Sequence, residues 1–170
     1  MKKISLLLTI LTLCLSFVGC GNKETILTES DFEIKEATLL SIEEYENYKE
    51  LIPYLVSSDV EEEECWWLRS PGLQRYGVAI VYNGDINEGG INYDFGAYDV
   101  RPALKIEVSS ANAFKAGSKL ELLDKKWTIL NISGQEAYIL CDESIGRQLF
   151  DDDSNDWETS ELKQWLEEQF

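Results

Sequence analysis

The sequence contains no histidine. A Ser-His-Asp triad, a Cys-His pair and a His-ligated zinc site are therefore excluded, because each of them needs an imidazole. Basic residues are also scarce: 15 Lys and Arg stand against 32 Asp and Glu, and the formal net charge is −17. A nucleic-acid partner is not expected, since such a surface cannot neutralise phosphates. Attraction of the chain itself to an anionic bilayer is disfavoured for the same reason.

The groups that remain for chemistry are carboxylates, tyrosines, lysines, arginines and cysteines. The carboxylates are too many and too scattered to select a catalytic pair, so we assign no catalytic residue, no metal ligand and no cofactor. Hydrophobic residues make up 44% of the chain, with five Trp and eight Tyr, and this content favours a folded core over a disordered acidic tail. The length suits one domain.

The first residues are typical of an export signal: Lys2 and Lys3 precede an apolar run over residues 4–18. That run is shorter than the roughly 20 residues that span a bilayer. It ends in the sequence FVGC, which resembles the bacterial lipoprotein processing box, although Phe17 stands where that box usually has Leu. In that family the signal peptidase cuts before the cysteine, which carries a diacylglyceryl group. An uncleaved helix with an incidental cysteine is the alternative.

The resemblance implies a signal peptide over residues 1–19 and a lipidated Cys20, followed by a linker over residues 20–36. Several acyl chains, at roughly 0.8 kcal/mol per buried CH₂, would hold the protein on the bilayer. We therefore expect an extracytoplasmic protein anchored to the bacterial cell membrane, with the bilayer as its partner through Cys20.

Two cysteines remain once Cys14 has left with the signal and Cys20 is acylated. These are Cys65 and Cys141, an even number in an oxidising compartment. Two alternatives remain: a disulfide between them, or two free thiols.

Local signals mark several elements. Ser41 with Glu44 three residues later forms a capping box and predicts the start of a helix. An Asn-Gly pair at 83–84 and a Ser-Gly pair at 133–134 predict hairpins, and Glu-Gly-Gly at 88–90 predicts a further turn.

The last segment predicts a helix with Asp156 or Thr159 as its N-cap. The acidic loop at 151–156 that precedes it has two interpretations, a capped loop or a weak ion site. We favour the capped loop, because Asp156 stands where a calcium-binding loop needs Gly, and Leu162 where it needs Glu.

Two sequence motifs carry a second resemblance. Residues 66–72 read WWLRSPG and residues 100–104 read VRPAL. This pair resembles the signature of an uncharacterised domain family of bacterial surface proteins, WWLRSPG followed by GVRPAL, although Asp99 replaces the Gly. The family is in turn similar to the C-type-lectin-like fold, which formylglycine-generating enzymes also use.

The order of the family's segments is reversed in this chain. Residues 127–130 (WTIL) and 157–166 (WETSELKQWL) resemble the opening of the family, yet they come last. The resemblance thus implies an α+β fold of the C-type-lectin-like class, with two helices and small antiparallel sheets, circularly permuted within one domain over residues 37–170. A truncated domain followed by the start of another is the alternative.

The signature also contains the candidate ligand contacts. If Trp66 and Trp67 lie on one strand they point to opposite faces, so we expect one in the core and one as an exposed stacking platform. Arg69 and Arg101 are either ligand contacts or structural arginines, and the structural role is favoured. The remaining candidates are Asn83 and Asp85 in the predicted hairpin.

The sequence therefore predicts a surface lipoprotein that acts as a binding module for an unknown glycan or protein ligand. Calcium-mediated sugar binding is not expected, because the calcium motifs of the lectins are absent. Two alternatives remain: a carboxylate-dependent enzyme acting on glycan or cell-wall material, and a structural partner of another envelope protein.

Overall fold

The computed structural model describes residues 25–28, 31–55, 63–109 and 114–170. The expected signal peptide and Cys20 lie outside these residues. Within the described ranges, no helix combines the length and the apolar character that a membrane-spanning segment needs.

The structure is built on two sheets. The six-stranded sheet has the order β1-β8-β9-β10-β7-β2 and is antiparallel except where β1 pairs with β8. Its strands are β1 (Thr25–Ile26), β2 (Phe32–Thr38), β7 (Ala103–Val108), β8 (Lys119–Leu122), β9 (Lys125–Ser133) and β10 (Glu136–Cys141). The five-stranded sheet has the order β11-β6-β3-β4-β5. Its strands are β3 (Cys65–Pro71), β4 (Gly77–Tyr82), β5 (Asp85–Asn92), β6 (Tyr98–Asp99) and β11 (Arg147–Gln148).

Two short α-helices accompany the sheets, α1 (Ile42–Tyr48) and α2 (Glu161–Glu167). The capping box of α1 is confirmed, since the Ser41 hydroxyl accepts from the Glu44 N–H at 3.1 Å and the Glu44 carboxylate accepts from the Ser41 N–H at 2.8 Å. The N-cap of α2 is Ser160 and not Asp156 or Thr159. Asp156 instead caps a one-turn 3₁₀ helix, Trp157–Thr159, while a second such turn, Lys49–Leu51, follows α1.

The predicted α+β, C-type-lectin-like, permuted fold is wrong. Of the described residues, 44% lie in strands and 15% in helices, so the protein is mostly β. Residues 32–36, which the sequence placed in a linker, form most of β2. The predicted turn at 88–90 lies inside β5, where the pairing with β4 shifts register. Gly90 is needed there, because its φ is +74° and an added Cβ would lie 2.5 Å from the Val78 carbonyl oxygen.

The five-stranded sheet is apolar on both faces. Its inner face, which carries Trp66 and Leu68, packs with α1 and with Leu140 of the six-stranded sheet. Its outer face carries Trp67 and Ile80 and packs against the C-terminal segment. The residues of that segment in the outer cluster are Phe150, Trp157, Leu162 and Leu166. A third cluster, which contains Trp127 and Ile139, lies on the six-stranded sheet.

Candidate ligand cleft

Part of the outer face of the five-stranded sheet is left open beside α2. A cleft of about 620 Å³, hereafter the tyrosine cleft, lies over this part. All five strands of the sheet contribute to its lining, together with Glu63, two residues before β3. The lining residues are Glu63, Cys65, Ile80, Tyr82, Asn87, Ile91, Tyr98 and Arg147.

Strand register brings these side chains to one face. Cys65 pairs with Tyr82, two positions before the pair of Trp67 and Ile80 in the same ladder. Because alternate residues of a strand share a face, Cys65 and Tyr82 extend the outer face beyond the region that α2 covers. Asn87 joins them from β5, opposite Ile80.

Tyr98 forms one wall of the tyrosine cleft. Its ring meets the Trp67 indole edge to face, with 4.9 Å between the ring centroids. Burial raises the pKa of the Tyr98 hydroxyl, so it stays protonated at neutral pH. Tyr82 on the neighbouring strand is 42% exposed. The cleft therefore offers aromatic surface together with hydroxyl groups, which is typical of binding surfaces that are apolar at one end and wet at the other.

Polar groups complete the lining. Burial, and then the charge of Asp99, raises the pKa of the Cys65 thiol to about 11, although Arg147 opposes this shift. Cys65 is thus protonated and unreactive at neutral pH. Arg147 is held at the rim because its Nε donates to the carbonyl of Ala97 at 3.2 Å.

The two tryptophans of the signature do point to opposite faces, but neither provides the expected exposed platform. Both are fully buried, because both faces of the sheet are covered at this point. The Trp66 indole N–H donates to Glu64 at 3.0 Å, and the Trp67 indole N–H donates to the Gln148 carbonyl at 2.9 Å.

Arg101 is fully buried on the inner side of the five-stranded sheet. Its Nε donates to the Cys141 carbonyl at 2.7 Å, and its guanidinium lies 5.3 Å from the Trp66 ring centroid. Nη1 lies 3.9 Å from Oε1 of Glu64. Both Nη atoms and Oε2 of Glu64 lack a hydrogen-bond partner among the described residues. Burial lowers the pKa of Arg101, while Glu64 opposes this effect.

Arg69 binds Glu44, the carboxylate of the capping box, at 2.5 Å, and also the carbonyl of Leu39. The Tyr138 hydroxyl reaches the same carboxylate at 3.3 Å. Burial alone would raise the pKa of Glu44, but the contacts with Arg69 and with the Ser41 N–H outweigh it and lower this pKa.

Asn83 and Asp85 lie in the confirmed hairpin between β4 and β5. The Asn83 side chain accepts from the Tyr54 hydroxyl at 3.0 Å, and Asp85 pairs with Lys49 at 3.2 Å. Neither lines the tyrosine cleft. The four candidates from the signature do not line it either: Trp66, Trp67, Arg69 and Arg101.

Sequence reasoning therefore missed the cleft. The available signal was period two, since Cys65 lies two residues before Trp67 and must share its face.

Both cysteines of the described region are free thiols, so the disulfide that the sequence left open is not formed in this structure. Cys141 is buried in the cluster on the six-stranded sheet, whereas Cys65 lines the tyrosine cleft.

The acidic loop has a structural role in the fold. One oxygen of Asp151 accepts from the N–H groups of Asp153 and Ser154 at 2.6 and 2.8 Å, and the other accepts from the Glu161 N–H at 3.0 Å. These contacts join the loop to the first turn of α2. The part of the chain that the structure describes contains no group of three or more side chains able to hold a metal ion.

Comparison with known proteins gives one match. The model of a family described as a domain of unknown function, DUF6273, matches residues 22–108. This range includes both signature segments and every strand from β1 to β7. No curated protein and no solved structure matches the chain.

Proposed function

The chain belongs to the DUF6273 family, and we propose that it is a lipid-anchored surface protein that binds a glycan or protein ligand in the tyrosine cleft. One observation carries the proposal: an open cleft of about 620 Å³ lies on a sheet face that is otherwise closed by packing. Concave surfaces that combine apolar and aromatic side chains with a few polar groups are the usual form of ligand sites.

The lining suits a ligand with one flat apolar face and polar edges. Tyr82 and Tyr98 supply ring surface, and the half-buried Ile91 supplies aliphatic surface. Asn87 adds an amide that can donate and accept. A sugar ring has such a shape, and so does the side chain of an aromatic residue.

The anchor is the second part of the proposal and rests on the FVGC sequence at residues 17–20. Cys20→Ser should release the protein from membranes or leave an unprocessed precursor. Metabolic labelling with a fatty-acid probe should mark the wild type only. Equal labelling of the variant would contradict lipidation at Cys20.

Binding can be tested with the full chain on an array of cell-wall glycans and on a peptide array, followed by titration calorimetry of any hit. We expect Tyr82→Ala to weaken binding about tenfold, since a well-packed aromatic contact contributes on the order of 1 kcal/mol. Tyr76→Ala is the matched control, because Tyr76 is similarly exposed, at 47%, and does not line the cleft.

Equal weakening by both variants would argue against the cleft as the binding site. Conversion of a hit into product at a rate that Tyr82→Ala lowers would favour the enzymatic alternative instead.

A further inference from the structure

A second groove, of about 480 Å³, lies between β2 and the C-terminal segment. Five consecutive residues of β2, residues 34–38, line one side. Because neighbouring strand residues point to opposite faces of a sheet, a groove lined by five in succession must run along the edge of the strand. The other side of this edge groove is formed by Trp157, Glu158, Lys163, Glu167 and Phe170.

Among the described residues, the edge of β2 that faces this groove has no strand partner. β2 is the last strand of the six-stranded sheet, and in the described ranges it pairs with β7 alone. Beyond that ladder, the backbone groups of residues 33–37 make no backbone hydrogen bond within the described parts of the chain. A row of outward N–H and C=O groups is a template for one more strand.

The other sheet's edge strand, β5, is less suited to strand addition. Both edge strands contain a register shift, β5 in its pairing with β4 and β2 between Ile34 and Glu36 in its pairing with β7, but the Glu88 carbonyl of β5 already accepts from the Leu73 N–H at 2.7 Å. The Gly90 N–H donates to the Asn87 side chain at 3.2 Å. Local hydrogen bonds of this kind occupy edge groups that a further strand would need. β5 therefore serves as an internal reference for β2.

The charge around the edge groove favours a basic occupant. Its two lysines are already paired: Lys35 lies 2.8 Å from Glu107, and Lys163 lies 2.6 Å from Glu158. Glu158 and Glu167 share the single charge of Lys163, which lies 4.0 Å from Glu167, and their side chains remain 73% and 57% exposed. The whole chain carries a net charge of −17, which attracts cationic partners over a longer range.

We propose that the edge groove binds an extended, basic segment of a partner protein, which adds to β2 as a further strand. Backbone hydrogen bonds to β2 hold the segment, its apolar side chains contact the half-buried Phe170, and its Lys or Arg side chains face Glu158 and Glu167. This site is separate from the tyrosine cleft and does not depend on the function proposed for it.

The test uses the full chain and three capped decapeptides. The probe alternates valine with lysine. One control peptide alternates valine with glutamate, and the other is the probe with every second backbone amide N-methylated along one edge. Hydrogen exchange is followed along the chain, and affinity is measured by titration. We expect the probe to slow exchange of the outward amides of β2 at least tenfold and to leave β5 unchanged. Both control peptides should bind at least tenfold more weakly.

Two charge variants sharpen the test. Glu158→Gln with Glu167→Gln should weaken binding of the probe about tenfold or more, because Lys163 then faces the peptide without a partner. The matched control, Glu88→Gln with Glu136→Gln, removes the same charge at two exposed sites outside the groove and should change affinity less than twofold.

Three results would overturn the proposal: equal binding of the N-methylated peptide, protection by the probe at the tyrosine cleft in place of β2, or protection of β2 without peptide in a dimer that forms with rising concentration. The last would make a second copy of the chain the occupant.

Discussion

The inner and outer faces of strand β3 differ in how completely the neighbouring elements cover them. On the inner face, Trp66 is enclosed by Tyr45 of α1, with 5.6 Å between ring centroids, and by the buried Arg101. On the outer face, Trp67 is equally buried, yet Cys65 two residues earlier lies in the open tyrosine cleft. Consecutive residues of one strand, Cys65 and Trp66, therefore divide between an accessible cleft and a closed core. A recognisable motif does not by itself identify the binding face.

The largest effect is expected on the inner face, from Arg101→Ala. The substitution leaves Glu64 buried without a cationic neighbour, and removing one member of a buried pair costs about 3–5 kcal/mol. The midpoint of thermal unfolding should fall by roughly 10 °C or more. Ligand binding in the tyrosine cleft should persist below that midpoint.

A double variant separates the charge from the packing. Arg101→Met with Glu64→Gln removes both charges, so it should be more stable than Arg101→Ala, as is common when both members of a buried pair are replaced. Urea unfolding followed by tryptophan fluorescence measures this order. Unchanged stability of Arg101→Ala together with lost ligand binding would make Arg101 a ligand contact and reverse the comparison.

Arg69→Ala should have a smaller effect, about 1–2 kcal/mol, although Arg69 belongs to the same motif. Its side chain is 27% exposed and Glu44 keeps the Ser41 N–H as a partner, so no fully buried charge is left behind. Lys49→Ala is the control: it breaks the exposed pair with Asp85 and should change the free energy of unfolding by less than about 0.5 kcal/mol. If Arg69→Ala matched Arg101→Ala in cost, burial would not be what separates the two arginines.

Local sequence signals predict only part of this structure. The capping box at Ser41 and the hairpins at residues 83–84 and 133–134 were predictable, because each involves neighbours in the chain. The opposite orientation of Trp66 and Trp67 was predictable from the period of a strand. The elements that cover each face were not predictable, because α2 comes about ninety residues later and no local sequence signal indicates its position.

Strand β2 was missed for the same kind of reason. Its sequence, FEIKEAT, mixes charged and apolar residues and resembles a linker when taken alone. It becomes a strand through pairing with β7, where Ile34 meets Ile106 and Thr38 meets Ala103. Propensity is a weak guide wherever such long-range contacts decide. The edge groove depends on this pairing, and the tyrosine cleft depends on the pairings of the five-stranded sheet. Local pattern could place Cys65 on the face of Trp67 but could not show that this face is left open.

Acid should act on the Arg69 contact through Glu44. Since the folded-state pKa of Glu44 lies below its ordinary value of 4.5, the ionised carboxylate stabilises the fold above that pH. This contribution is lost as the pH falls from about 4.5 through the lowered pKa. Glu44→Gln should therefore flatten the pH dependence of the unfolding midpoint below pH 5. An unchanged slope would show that other carboxylates carry the acid sensitivity.

The smallest effect on stability, and the most direct probe of the two environments, is expected from the cysteines. Burial, with Asp99, raises the pKa of Cys65 to about 11 against an ordinary 9.0, so its thiolate fraction at pH 8 is about a hundredfold below that of an exposed thiol. Alkylation of Cys65 by iodoacetamide should be slower by at least that factor and should rise about tenfold per pH unit up to pH 11. Cys141, which is fully buried, should react only after unfolding.

Single variants Cys65→Ser and Cys141→Ser show by mass spectrometry which cysteine each alkylation rate belongs to. Unfolding without reductant should make both thiols reactive. Equal alkylation rates of Cys65 and Cys141 in the folded protein would contradict the difference between closed core and open cleft. If the thiols resist alkylation in denaturant until a reductant is added, the two cysteines form a disulfide after all.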